Sequence, residues 1–252
     1  MAKMICKRML GVTLVVAMAV TAFLPVDLAK ATVDEESIIE KQTDGLPDFD
    51  EVFSEKELEK AEDELRKKAD KDMAFSVRDC NVSNNYADSV KGVAPNPTKK
   101  GLILVTTDKL YGIFKLGHSA IVYDKNRVIE STYDLDTGTN GVTYGGNSWT
   151  GNRHEVYVGK VKNLNDNQLA SAANYCRDKV GTPYNFDFRD INTRKRFYCS
   201  QLVYAAFLDK HGINLNTDLF SDIKGNPVHP VELVTSSNTA VVQHVVDGKN
   251  VH

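Results

Sequence analysis

The chain has 252 residues, 42% of them hydrophobic and 26% charged, with a formal net charge of −3. That length and composition supply one good-sized core, or a domain plus an extension. A mildly acidic balance with no basic tract gives no electrostatic case for nucleic acid, and four cysteines are too few for a disulfide scaffold.

The start of the chain does not belong to the core. Lys3, Lys7 and Arg8 precede the apolar run Met9 to Leu24, and Ala29-Lys30-Ala31 offers the small-x-small pattern of a cleavage site. A run of sixteen is short for a membrane span of about 20 residues. Residues 1–31 therefore read as a signal peptide, with a secreted product and no stable membrane insertion after cleavage. Losing four basic residues and one acidic residue takes the formal charge from −3 to −6. Cys6 precedes the apolar run, so it is not placed as a lipoprotein cysteine. Cys80, Cys176 and Cys199 remain, which permits one bridge and one free thiol or three free thiols.

Residues 32–97 read as an acidic, partly helical extension and linker. Thr32 to Phe53 has few apolar residues and reads as an extended lead-in. Ser54 with Glu57 forms a capping box that opens a charged helix from Glu55 to about Lys71. Its apolar content, Leu58, Ala61, Leu65 and Ala69, is a narrow stripe, and a solvated extension is the reading it favours. Asn81 to Lys100, with Pro95-Asn96-Pro97, is the linker.

The compact domain is placed at 98–252. Leu102 to Thr106, Gly117 to Tyr123, Arg127 to Thr132 and Glu155 to Val161 read as strands, the middle pair joined by a turn at Asp124-Lys125-Asn126. Asn165 caps a helix from Asp166 to Val180, ended by Gly181, and Cys176 falls on its apolar face. A second helix runs from Cys199 to about Lys210, a short one follows Pro230, and Ala240 to Val246 is a last strand. Strands with helices packed against them give an α+β domain with an antiparallel sheet.

Cys199 is the residue with the clearest chemistry. It follows a loop and opens a helix, where free N–H groups and the helix dipole favour a thiolate. Such a nucleophile needs a base and a group to orient it. His211 and His252 lie at ends, His154 and His229 in loops, and His244 among apolar strand residues. His118 enters a strand directly after Gly117, and Glu130 stands twelve positions on in the next strand. A hairpin centred on residue 124 places them opposite one another on one face, either as a catalytic pair or as a surface pair.

Gly181-Thr182-Pro183-Tyr184 followed by Cys199-Ser200-Gln201-Leu202-Val203-Tyr204 resembles the G-x-P-Y … C-S-x-L-V pattern of NlpC-type papain-like cysteine peptidases. Gly117-His118-Ser119-Ala120-Ile121-Val122-Tyr123 with Val128-Ile129-Glu130 is similar to that family's histidine strand and the strand bearing its third polar residue. The histidine comes 81 residues before the cysteine, the reverse of the usual order. That order resembles the circularly permuted YiiX/YaeF-like amidases, distant relatives of the lecithin:retinol acyltransferase group.

The resemblance implies a circularly permuted papain-like fold over roughly residues 98–235. It implies Cys199 as nucleophile, His118 as general base and then acid, and Glu130 as the orienting residue. Tyr184 matches a family tyrosine beside the nucleophile, and core packing beside Pro183 is its alternative. Tyr184, Phe186 and Tyr198 are the candidate substrate-lining residues, with Phe188 beside them. Tyr198 stands where many unpermuted members carry an acid, and Glu130 replaces the more usual His, Asn or Gln.

The expected activity is hydrolysis of an amide or peptide bond through a thioester, with cell-wall peptides, peptidoglycan fragments among them, as substrate and a cell-wall-associated location. The alternatives are a lipid or acyl-amide hydrolase or acyltransferase, and a non-catalytic binding protein on the same scaffold. No C-x-x-C or H-E-x-x-H spacing and no glycine-rich phosphate loop is present, so neither metal nor cofactor is expected.

Overall fold

Short apolar, largely β-branched runs, the central ones buried on both faces, build a seven-stranded antiparallel sheet, and the helices gather mainly on one of its faces. The computed structural model describes residues 53–79, 93–108, 117–134 and 137–251. The signal-peptide reading, the lead-in before Phe53, Cys80, most of the linker and His252 lie outside them. In chain order the elements are α1 (Glu55–Asp79), β1 (Ile103–Thr106), β2 (His118–Val122), β3 (Arg127–Asp134), β4 (Thr139–Gly146), α2 (Trp149–Asn152) and β5 (Glu155–Val161). Then follow α3 (Asp166–Arg177), α4 (Cys199–His211), α5 (Glu232–Thr235), β6 (Thr239–Val246) and β7 (Lys249–Asn250). The sheet order is β4-β3-β2-β1-β5-β6-β7.

Strand alternation divides the core in two. Ile103, Val105, Ile121, Ile129 and Tyr157 face the helices, where Leu169, Cys176, Leu202 and Phe207 meet them. Leu104, Ala120, Val122, Val128 and Val158 face the other way, under Trp149, Leu102 and Ala94. Asn165 caps α3 as expected: its side chain accepts the Gln168 N–H and the Gln168 side chain accepts the Asn165 N–H, both at 3.0 Å. The helix stops at Arg177, and Lys179 to Gly181 turn out of it, leaving Val180 exposed.

Besides α1 running on to Asp79 rather than about Lys71 and the unexpected short α2 and β7, two larger features differ from the sequence reading. Strand β4 was not expected, because Gly141, Gly145 and Gly146 erase its strand signal. The stripe on α1 is not solvated: Ala61, Leu65 and Ala69 are fully buried in the main core. Polar ties fix that docking against β6. Lys68 Nζ donates to Asp72 (2.7 Å) and to the Thr239 carbonyl (2.8 Å), and Asp72 accepts the Val241 N–H (2.9 Å). Phe53, just before the helix, stands edge-on to Phe220 at 4.8 Å. A stripe of three small or medium side chains suffices here because the sheet edge supplies the rest of the contact. Among the described residues no helix is long and apolar enough to cross a membrane.

Candidate active site

Helix α4 begins at Cys199 because its preceding loop is tied to its own third residue. The Gln201 side-chain oxygen accepts the Tyr198 N–H (3.2 Å) and the Asn185 amide (3.0 Å), while its nitrogen donates to the carbonyls of Asp190 (3.1 Å) and Thr193 (3.2 Å). Phe197 N–H donates to Pro183 O and Asn185 N–H to Phe197 O, each 3.1 Å, which draws Tyr184 alongside the cysteine. The helix ends in Gly212, a left-handed C-cap.

The candidate base, His118, arrives from the sheet. Gly117 has φ +79°, and a Cβ there would overlap the Thr106 carbonyl, so only glycine lets the chain enter β2 at this point. His118 follows at once, opposite Thr106 of β1. Glu130 lies opposite Ala120, not opposite His118 as the sequence suggested. The hairpin centres on Lys125: the Tyr123 and Asp124 N–H groups both bond the Arg127 carbonyl. A slip of two residues keeps side-chain parity, so the pair still shares a face, now as diagonal neighbours. The long glutamate closes the gap, with Nε2 of His118 2.7 Å from Oε2 of Glu130.

With Nε2 held by Glu130, Nδ1 is the ring nitrogen left for the sulfur, and His118 and Cys199 lie close enough to shift each other's titration. Burial works against the imidazolium, yet the contacts with Cys199 and Glu130 outweigh it and raise His118 to about 9. Burial likewise opposes the Cys199 thiolate, and the His118 cation, helped by the Ser119 main chain and hydroxyl, still lowers its pKa. Burial opposes the Glu130 carboxylate as well, but His118, with a further contribution from Arg153, lowers its pKa. Cys176 is the internal contrast. It too is a free, buried thiol, but with no cation beside it burial pushes its pKa up.

Trp149, the only tryptophan in the chain, completes the site and was missed in the sequence. Its ring stacks on His118 (centroids 5.7 Å, interplanar angle 21°), and the Arg153 guanidinium carbon lies 5.2 Å from the indole centroid. The indole thus covers one face of the imidazole. Nothing local marks that role, because residue 149 meets His118 only after β4 and α2 have folded.

The remaining predicted residues divide. Tyr184 is buried beside Cys199, and burial with the neighbouring sulfur pushes its phenol up, so it stays a hydrogen-bond donor. Tyr198 packs beneath the site: its hydroxyl donates to Phe188 O (3.3 Å) and accepts the Val228 N–H (3.0 Å). Phe186 is half-buried and stands 5.0 Å from both Tyr133 and Tyr184. A cavity of about 190 Å³ opens on the Glu130 side of the imidazole, lined by Thr132, Thr143 and Arg153 among others, and it is polar. The other histidines stay apart from the sulfur. His154 pairs with Asp247 at the surface, His211 bonds Ser171, and His229 is buried near Phe53. His244 binds Glu155 at 2.9 Å and stacks on Tyr157, a second His–Glu pair without a nucleophile. Among the described residues no cluster of three or more potential ligands could hold a metal ion.

The antiparallel sheet, the helices and the order of these residues along the chain form a permuted papain-like arrangement. A family model described as "Permuted papain-like amidase enzyme, YaeF/YiiX, C92 family" matches residues 103–224, just under half of the chain, and that segment is similar to the family. The matched span holds His118, Glu130, Tyr184 and Cys199; α1 and β6 lie outside it. The chain is 24% identical over 159 residues to the uncharacterized protein YycO of Bacillus subtilis (strain 168), covering 61% of this chain. It spans about 60% of the length of that curated relative. A crystal structure of the metalloprotein yiiX from Escherichia coli O157:H7 is 17% identical, covers 57% of this chain and 96% of that one, and has a TM-score of 0.45.

Proposed function

We propose that this chain is a cysteine hydrolase that cleaves an amide or peptide bond through a thioester. The observation that carries the reading is the Cys199–His118–Glu130 constellation inside the family match. The Cys199 thiolate attacks the carbonyl carbon, and the negative charge moves to the carbonyl oxygen beside the N–H groups of the first turn of α4. The His118 imidazolium then gives its proton to the leaving nitrogen. Water, deprotonated by the now neutral imidazole, attacks the thioester and releases the acid, restoring thiolate and imidazolium. Glu130 holds the ring in the tautomer and orientation both steps need.

Export and cell-wall peptides complete the proposal. The basic and apolar segments within residues 1–31 support export. The hydroxyls, the Glu130 and Asp134 carboxylates and the Arg153 guanidinium lining the cavity beside His118 suit a polar peptide better than an acyl chain. The test is incubation with muropeptides and, separately, with N-acylated lipids, with products identified by mass spectrometry. We expect cleavage of the muropeptides at an amide bond. Release of fatty acid alone would move the substrate to lipids, and no turnover of either would favour a binding protein.

Turnover should depend on pH through the ion pair. It rises as Cys199 ionises, at a pH below the ordinary thiol range, stays level, and falls as His118 loses its proton near pH 9. In Glu130→Gln the carboxylate charge that favours the imidazolium is gone, so the alkaline limb moves to lower pH. A one-unit move is about a tenfold loss of the protonated form on that limb. An unmoved limb would make Glu130 a bystander.

A further inference from the structure

Glu130 reaches His118 with one carboxylate oxygen, and the place of the other is set by a residue with no side chain. Gly145 lies on β4 opposite Val128, next to the Glu130–Thr143 pair, so it shares the Glu130 face of the sheet. A methyl group built on Gly145 would overlap Oε1 of Glu130 and stand 2.9 Å from the carboxyl carbon and 3.1 Å from Val128 Cγ2. The Gly145 backbone is in a conformation open to any residue, so nothing about the turn or strand demands glycine there. What the missing side chain supplies is space for the carboxylate.

We propose that Gly145 is a positioning residue for the site, holding Glu130 on His118 by leaving room for its second oxygen. The inference rests on the hydrolase reading above. With alanine at 145 the carboxylate must leave its place, and the adjoining cavity accepts it, with Arg153 and the Thr132 and Thr143 hydroxyls as new partners. The displaced group is the far end of a flexible side chain, so the fold survives while the orienting bond is lost. An error of about 1 Å in such a group costs on the order of a hundredfold in rate.

The experiment compares the full chain with Gly145→Ala, Glu130→Ala and the double variant, reading kcat/KM and the pH dependence of Cys199 alkylation by iodoacetamide. We expect Gly145→Ala to lose about a hundredfold in kcat/KM, and its alkylation profile to move up by about one pH unit as the imidazolium weakens. In the Glu130→Ala background the same change should add less than about twofold, because a residue that acts through Glu130 has nothing left to position. Circular dichroism should show every variant folded. The proposal is overturned if Gly145→Ala keeps the wild-type profile and rate, if its loss multiplies with that of Glu130→Ala, or if it unfolds. A wild-type chain whose Cys199 alkylates no faster than a buried thiol would remove the hydrolase reading itself, and this proposal with it.

Discussion

Cys199→Ala and His118→Ala each bring hydrolysis down to background, a loss of at least about 10⁴-fold, as expected when a unit of interdependent groups loses a member. The two differ in what they do to the fold. Cys199 sits at the first turn of α4 with little exposure, and shortening it removes one sulfur from a helix already fixed by the Gln201 ties. Its thermal melt should match wild type. Replacing His118 takes the ring from under Trp149 and leaves the Glu130 carboxylate without its main partner. The melt should fall, with the polar cavity and Arg153 softening the effect. Turnover assays and differential scanning calorimetry on the two variants check both halves. Retained activity in Cys199→Ala would end the nucleophile assignment.

Leu65→Asp should destabilise the whole domain by several kcal/mol, although it lies outside the family match, because it buries a carboxylate with no partner. Leu65 is fully buried between α1 and the sheet, and its truncation to alanine alone should cost about 2–5 kcal/mol. The effect should appear as a lower urea midpoint for the entire unfolding transition, not as a separate early phase. Arg66 also reaches 3.7 Å from Glu155, so α1 communicates with the strand end that holds the second His–Glu pair. An unchanged midpoint in Leu65→Asp would return α1 to the status of a solvated arm.

The placement of Cys199 at a helix start was readable because its signals are local. Gly181, Pro183 and the apolar run after Cys199 are punctuation and periodicity, and both survive in the structure. The His118–Glu130 pairing was readable for a different reason. Side-chain parity on a strand is unaffected by a slip of two, so the wrong register still put both groups on one face. Trp149, Arg153 and Gly145 were not readable, since each gains its role from a neighbour brought up by β4, the strand its own glycines conceal. Helix α1 exposed its stripe in the sequence but not its partner, as β6 lies about 170 residues further on.

The hairpin that carries His118 and Glu130 closes over twelve residues, whereas Cys199 joins from 81 residues away. Chain closure over the longer span costs about 1.7 kcal/mol more entropy than over the shorter one. Local pairings also form sooner than distant ones. In a chain that is still folding, the base is therefore assembled while the thiol remains ordinary. The thiolate comes into being only when α4 docks on the sheet, so reactivity itself marks the last stage of folding.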